Sequence, residues 1–189
     1  MGIQIDEVMN RLGGIHSATE KDEKRKLLEL ASLHCHLGRL VEIGSAWGAT
    51  AVLFAELAKE ENLKPVVCID LWEAYDDLGR PTTIGFSSFE KTLKEHNLFE
   101  YVKPIKNISS EVLKTWNEPI GFLFVDGNHA YEYVKADIIG YSKFVVPGGI
   151  IACHDYGYFE ETRRGIEDAA KELGKAIEKS VRSLALIRF

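Results

Sequence analysis

The chain has 189 residues, 46% of them hydrophobic and 28% charged, with a formal net charge of −6. That is apolar material for one soluble globular domain spanning 1–189, and the acidic balance argues against a nucleic-acid footprint, which needs a basic face. No apolar run approaches the ~20 residues of a membrane span, and Asp6 and Glu7 stand where a secretory leader would be basic and then apolar, so a cytoplasmic protein is expected.

Ser17 to Glu20 has the spacing of a capping box, and Leu27, Leu30, Ala31 and His34 follow at helical intervals, which predicts a helix over 18–36. Residues 1–37 then form a helical extension to a core over 38–189. The alternating charges from Lys21 to Lys26 read as a solvated helix face. His34, Cys35 and His36 are adjacent and point apart on a helix, so they read as a helix end and not a metal site. Cys35, Cys68 and Cys153 have neither disulfide-frame nor zinc spacing and read as buried, reduced thiols.

Residues 40–43 predict a buried strand that breaks at Gly44 and restarts as a helix near residue 51. Gly44 frees the turn, and Gly48 allows close approach of a ligand or the sheet. Residues 65–70 predict a second strand ending in Asp70, about 20 residues beyond the glycines, where an acid commonly holds ribose hydroxyls. Residues 71–85 mix aromatics with turn formers and read as a loop or lid near the ligand. A helix over 86–96, a strand over 101–105, a short helix from Ser109 and a strand over 120–125 closing on Asp126 follow. Tyr131, Val134, Ile138 and Tyr141 share one helix face. The fifth strand, over 147–153, closes on His154 and Asp155, and a helix over 160–173 leads to strands over 176–181 and 184–189 joined at Arg182 and Ser183.

The expected fold is α/β: a Rossmann-like doubly wound sheet of seven strands, mostly parallel with a C-terminal antiparallel hairpin and helices on both faces. Ligands bind outside the carboxyl ends of such strands, so Gly44, Asp70, Asn107, Asp126 and Asp155 should share one rim.

The spacing Glu42-x-Gly44-x-x-x-Gly48, the acid closing the second strand, Asp126-Gly127 after the fourth and Pro147-Gly148-Gly149 before the fifth together resemble the class I S-adenosylmethionine-dependent methyltransferases. The segments Val125 to Glu132 and Gly148 to Tyr156 are similar to the small branch that holds macrolide sugar O-methyltransferases and cephalosporin-hydroxylase-like proteins. The resemblance covers about residues 17–189. It implies S-adenosyl-L-methionine as cofactor, with Glu42, Gly44, Ser45 and Gly48 beside its methionine part and Asp70 on the ribose. Asn107 and Ser109 would lie beside the adenine, with Trp72 covering its face. It implies a divalent metal (Mg, Mn or Zn) at Asp126, His154 and Asp155, with His129 at the position of a general base. His154 departs from the pattern, in which a second acid is commoner; an imidazole suits Zn, Mn or Fe better than Mg.

The expected reaction is O-methylation of a small-molecule hydroxyl, with Asp126 and His129 as the catalytic pair. Methyl transfer needs an oxygen losing its proton in line with the methyl carbon, and a metal with a histidine of pKa about 6.5 would serve it. The alternatives are a nicotinamide-dependent oxidoreductase, which the missing third glycine disfavours, a cofactor-binding protein without catalysis, and a metal-dependent hydrolase. No nucleic-acid or membrane partner is expected, and a homodimer stays open.

Overall fold

Alternating side chains along the strands divide the apolar residues between two layers, one on each face of a single sheet. The computed structural model describes residues 3–15, 17–75 and 81–189, with backbone alone for 74, 75 and 81–84. In chain order the helices are α1 Ile5–Leu12, α2 Lys21–His34, α3 Ala51–Glu60, α4 Phe86–Glu95, α5 Ser109–Leu113, α6 Tyr131–Ser142 and α7 Glu160–Glu172. The strands are β1 Arg39–Ile43, β2 Val66–Asp70, β3 Glu73–Tyr75, β4 Pro81–Gly85, β5 Val102–Lys106, β6 Ile120–Val125, β7 Val145–Cys153, β8 Ile177–Lys179 and β9 Ala185–Arg188.

Seven strands form the sheet in the order β5-β2-β1-β6-β7-β9-β8. The first five are parallel, β9 is antiparallel to β7, and β8 is antiparallel to β9. This is the expected doubly wound sheet with its C-terminal hairpin. On one face Leu40, Val66, Cys68, Phe122, Phe124, Ile150 and Leu186 pack with α1, α2, α3 and Phe89 and Leu93 of α4. On the other, Val41, Ile43, Val67, Ile69, Leu123, Val125 and Ile151 pack with α5, α6 and α7. Burial on both faces is why these strands read as continuous apolar runs.

Four local expectations need correction. The helix α1 was not foreseen; its Val8, Met9 and Leu12 are buried against the first layer. The capping box lies at Glu20 and Glu23, three residues later than the Ser17 spacing suggested, and Ser17 Oγ donates instead to the Thr19 carbonyl at 3.0 Å. The Lys21-to-Lys26 face is not wholly solvated: Glu23 and Lys24 are buried, and the Lys24 ammonium donates to the Ile15 carbonyl. The segment expected as a loop holds an antiparallel pair, β3 with β4; its residues 76–80, including Asp76, Asp77 and Gly79, lie outside the described residues. Among the described residues no helix is long and apolar enough to cross a membrane.

Candidate active site

Strand order reverses between β1 and β6, and the chain after β1 turns at this point. Gly44 adopts φ +85°, and a Cβ there would lie 2.1 Å from the Asp126 carbonyl oxygen. Both the left-handed backbone and the close approach of the β6 end therefore require glycine. In an open α/β sheet such a reversal is where ligands enter. The Asp70 carboxylate closes the turn from the β2 end: Oδ2 accepts the Ser45 and Ala46 amides at 2.8 and 2.9 Å, and Oδ1 accepts the Trp72 amide at 2.6 Å. Ala46, Trp72 and Asp155 are non-glycine residues at φ +42°, +47° and +59°. Left-handed residues after β1, β2 and β7 mark backbone strain held along one rim.

Trp72 does not present a face to the crevice. Its side chain is buried, packs on Phe86 and Phe89 with centroids 5.1 and 4.8 Å away, and donates Nε1–H to the Ala46 carbonyl at 3.0 Å. The expected adenine cover is here a brace beneath the glycine turn. Glu42 lies below the same turn. Strand alternation puts it on the Leu40 face, fully buried, where Ser45 Oγ donates to one carboxylate oxygen at 2.6 Å and Thr50 Oγ1 to the other. Burial pushes this carboxyl up to about 7 despite both hydroxyls.

The two expected adenine neighbours part ways. Asn107 is exposed and next to Asp70, its backbone N–H donating to the Asp70 backbone carbonyl at 3.1 Å. The Ser109 hydroxyl turns toward α6 and donates to Asp137 Oδ1 at 2.6 Å, while Tyr141 donates to the Ser109 carbonyl at 2.8 Å. Asp137 is buried, and burial lifts its carboxyl to about 6.

Beyond the β6 and β7 ends the acids and imidazoles converge. His129 Nε2 lies 2.9 Å from Asp155 Oδ2; His154 Nδ1 lies 3.2 Å from Asp126 Oδ1 and 3.3 Å from Asp155 Oδ1. The His129 ring stacks on Phe159 at 4.4 Å and is 46% exposed, whereas His154 is 2% exposed. Burial alone would lower the His154 pKa, but the carboxylates of Asp126, Asp155 and Glu23 outweigh it and carry it up to about 12. Burial raises the Asp126 carboxyl, and the neighbouring imidazoles only partly offset this. Asp155 is the reverse case: burial would raise it, but the His129 and His154 imidazoles beside it hold it well below the carboxylate range.

These residues fit a divalent cation. Among the described residues no group makes an aligned hydrogen bond to the buried His154 Nδ1, and two carboxylate oxygens crowd it. A lone pair in that position needs a positive centre between them, a proton or a metal ion. One donor atom from each of Asp126, His154 and Asp155 lies within 4.8 Å of the others. An adjoining void of about 10 Å³, lined by Asp126, His129, His154 and Thr162, is of single-water size. A cavity of about 350 Å³ at the opposite sheet edge brings no such groups together: its Arg39 and Lys64 each pair with Glu118 at 3.4 Å. Sequence reasoning missed Glu23, whose Oε2 lies 3.2 Å from His154 Nε2 across 131 positions of chain. No local signal marks it.

Comparison with known proteins bears on this rim. Over 116 residues the chain is 28% identical to an uncharacterized protein of Acanthamoeba polyphaga mimivirus, a match covering 61% of this chain and 50% of that protein. The chain thus spans about half the length of that curated relative. The solved O-methyltransferase NovP superposes with a TM-score of 0.80 at 15% identity, over 97% of this chain and 87% of its own. The O-methyltransferase TomG from Streptomyces achromogenes, solved with S-adenosylmethionine, gives 0.63 at 14% identity, over 98% and 88%. At such identities the likeness is one of fold, and none of it supports the nicotinamide alternative. The methyltransferase domain family matches residues 41–156, from β1 to the turn after β7, and so takes in each strand end that builds the rim; this chain belongs to that family.

Proposed function

We propose that the chain is an S-adenosylmethionine-dependent methyltransferase that methylates a hydroxyl of a small molecule with help from a divalent metal. The observation that carries the reading is the contact of the Gly44 turn with the Asp126 backbone, which sets a nucleotide-type crevice beside an acid–imidazole cluster. The carrier of the methyl group would lie along the turn, with Gly44, Ser45 and Gly48 near its methionine part and Asp70 and Asn107 toward its nucleoside. Asp126, His154 and Asp155 would hold the cation, which when bound supplies Lewis acidity at the acceptor oxygen.

His129 would take the acceptor proton. It is half exposed, stacked on Phe159 and anchored by Asp155, which raises its affinity for a proton. Asp155 also fixes the tautomer, because an ionised carboxylate only accepts: Nε2 carries the proton and Nδ1 is left as the basic nitrogen. Burial and the paired hydroxyls keep Glu42 in support of the turn, out of the proton path. The three buried, free thiols suit a reducing, cytoplasmic setting. The chain is read as one methyltransferase domain over 1–189 with an N-terminal helical extension over 1–37.

Calorimetry with S-adenosylhomocysteine tests the cofactor site, and absence of heat at millimolar ligand would remove the reading. Turnover of a hydroxylated acceptor panel with Mg, Mn or Zn, and its loss to a chelator while S-adenosylhomocysteine still binds, tests the metal.

A further inference from the structure

Helix α2 buries an acid far from solvent. Glu23 on α2 is 1% exposed, and an ionised carboxylate in such a place is costly unless every oxygen is met by a donor. Here they are. Oε1 accepts the Ser183 amide at 3.0 Å and the Ser183 hydroxyl at 2.7 Å; Oε2 accepts the Glu20 amide at 3.0 Å and faces His154 Nε2 at 3.2 Å. Three donors from Glu20 and Ser183 already point at its two oxygens, so the carboxylate stands here as an acceptor. Nε2 of His154 must then carry a proton.

We propose that Glu23 is a positioning residue of the candidate active site: it holds the His154 ring with Nε2–H toward α2, leaving Nδ1 directed between Asp126 and Asp155. The inference rests on reading that cluster as the metal end of a methyltransferase site. Turning the ring over would set a carbon against Glu23 and forfeit its bond. A carboxylate behind a metal-ligating histidine is also what fixes the ligand tautomer in metal sites generally. Helix α2, the turn carrying Ser183 and the β7 end are thereby tied to the same imidazole, which makes α2 a working part of the site.

Glu23→Gln is the sharp variant, because it keeps the shape and exchanges the oxygen facing His154 for an NH₂, at the cost of the Glu20 amide bond to that oxygen. The two Ser183 donors retain the amide oxygen, the amide NH₂ faces Nε2, and the ring proton is forced to Nδ1, where it blocks the cation. In the full chain, cobalt(II) titrated by visible absorption should bind tenfold or more weakly to Glu23→Gln than to wild type, with S-adenosylhomocysteine affinity within about twofold. Equal cobalt affinity and spectrum in folded Glu23→Gln overturns the proposal. If that variant does not fold, Ser183→Ala, which removes one anchor of the carboxylate, should show a smaller loss in the same direction, and an unchanged affinity overturns the role. A wild-type chain that binds S-adenosylhomocysteine but no cobalt rejects the metal reading alone. The ring ¹⁵N spectrum of His154 then decides: the Nε2–H signal should be present in wild type and lost in Glu23→Gln, and identical spectra overturn the positioning role.

Discussion

His129 and Asp155 face each other at 2.9 Å, and the other oxygen of that carboxylate lies 3.3 Å from the buried His154. One acid thus joins an exposed imidazole to a buried one. Because the Asp155 bond raises the His129 pKa, the acid limb of a kcat/KM pH profile should lie above 6.5, activity rising as the base loses its proton. His129→Ala should lower kcat by about 10²–10⁴-fold with unchanged S-adenosylhomocysteine affinity; full activity in that variant would remove His129 as base.

Gly44→Ala should be severe. The new methyl would meet the Asp126 carbonyl and force a side chain into φ +85°, costing about 3 kcal/mol from strain and overpacking together. Urea unfolding measures the loss, and calorimetry should show S-adenosylhomocysteine binding gone.

Asp70→Ala should leave the Ser45, Ala46 and Trp72 amides without their acceptor. A loss of about 1–3 kcal/mol is expected for stranded donors, with the cofactor-product affinity falling alongside. Stability and affinity both at wild-type level would show that the turn does not depend on this carboxylate.

Asp137 gives a pH-dependent prediction. Its folded pKa is raised from 3.8 to about 6 by burial, so its favourable contribution is fully present below the unfolded value and is lost as pH climbs through about 6. Asp137→Asn keeps an acceptor for Ser109 and has no charge to bury. It should be more stable than wild type by about 3 kcal/mol at pH 8, with most of the advantage gone near pH 4. Denaturant curves at the two pH values check the sign.

Much of the fold was legible because it is local. Apolar runs over 40–43, 65–70 and 120–125 mark strands buried on both faces, and Gly44 marks the turn. The acids Asp70, Asp126 and Asp155 could be placed on one rim because parallel strands put their carboxyl ends on the same edge. The β3–β4 pair was not legible: residues 71–85 carry no period-2 alternation, and the pairing is visible in backbone register alone. The capping box was misplaced because Ser17 to Glu20 and Glu20 to Glu23 both satisfy the spacing, and burial of Glu23 selects the second.

The sequence by itself determined the strand and helix periods, the glycine turn and the edge on which the acids stand, since each depends on residues a few positions apart. Only the tertiary structure decided how the side chains are used. It turned Trp72 under the glycine turn, drew Ser109 to Asp137, and joined Glu23 to His154 and Ser183 across 131 and 160 positions. Those meetings depend on the order of strands in the sheet and the helix packed over each face, which a local pattern does not encode.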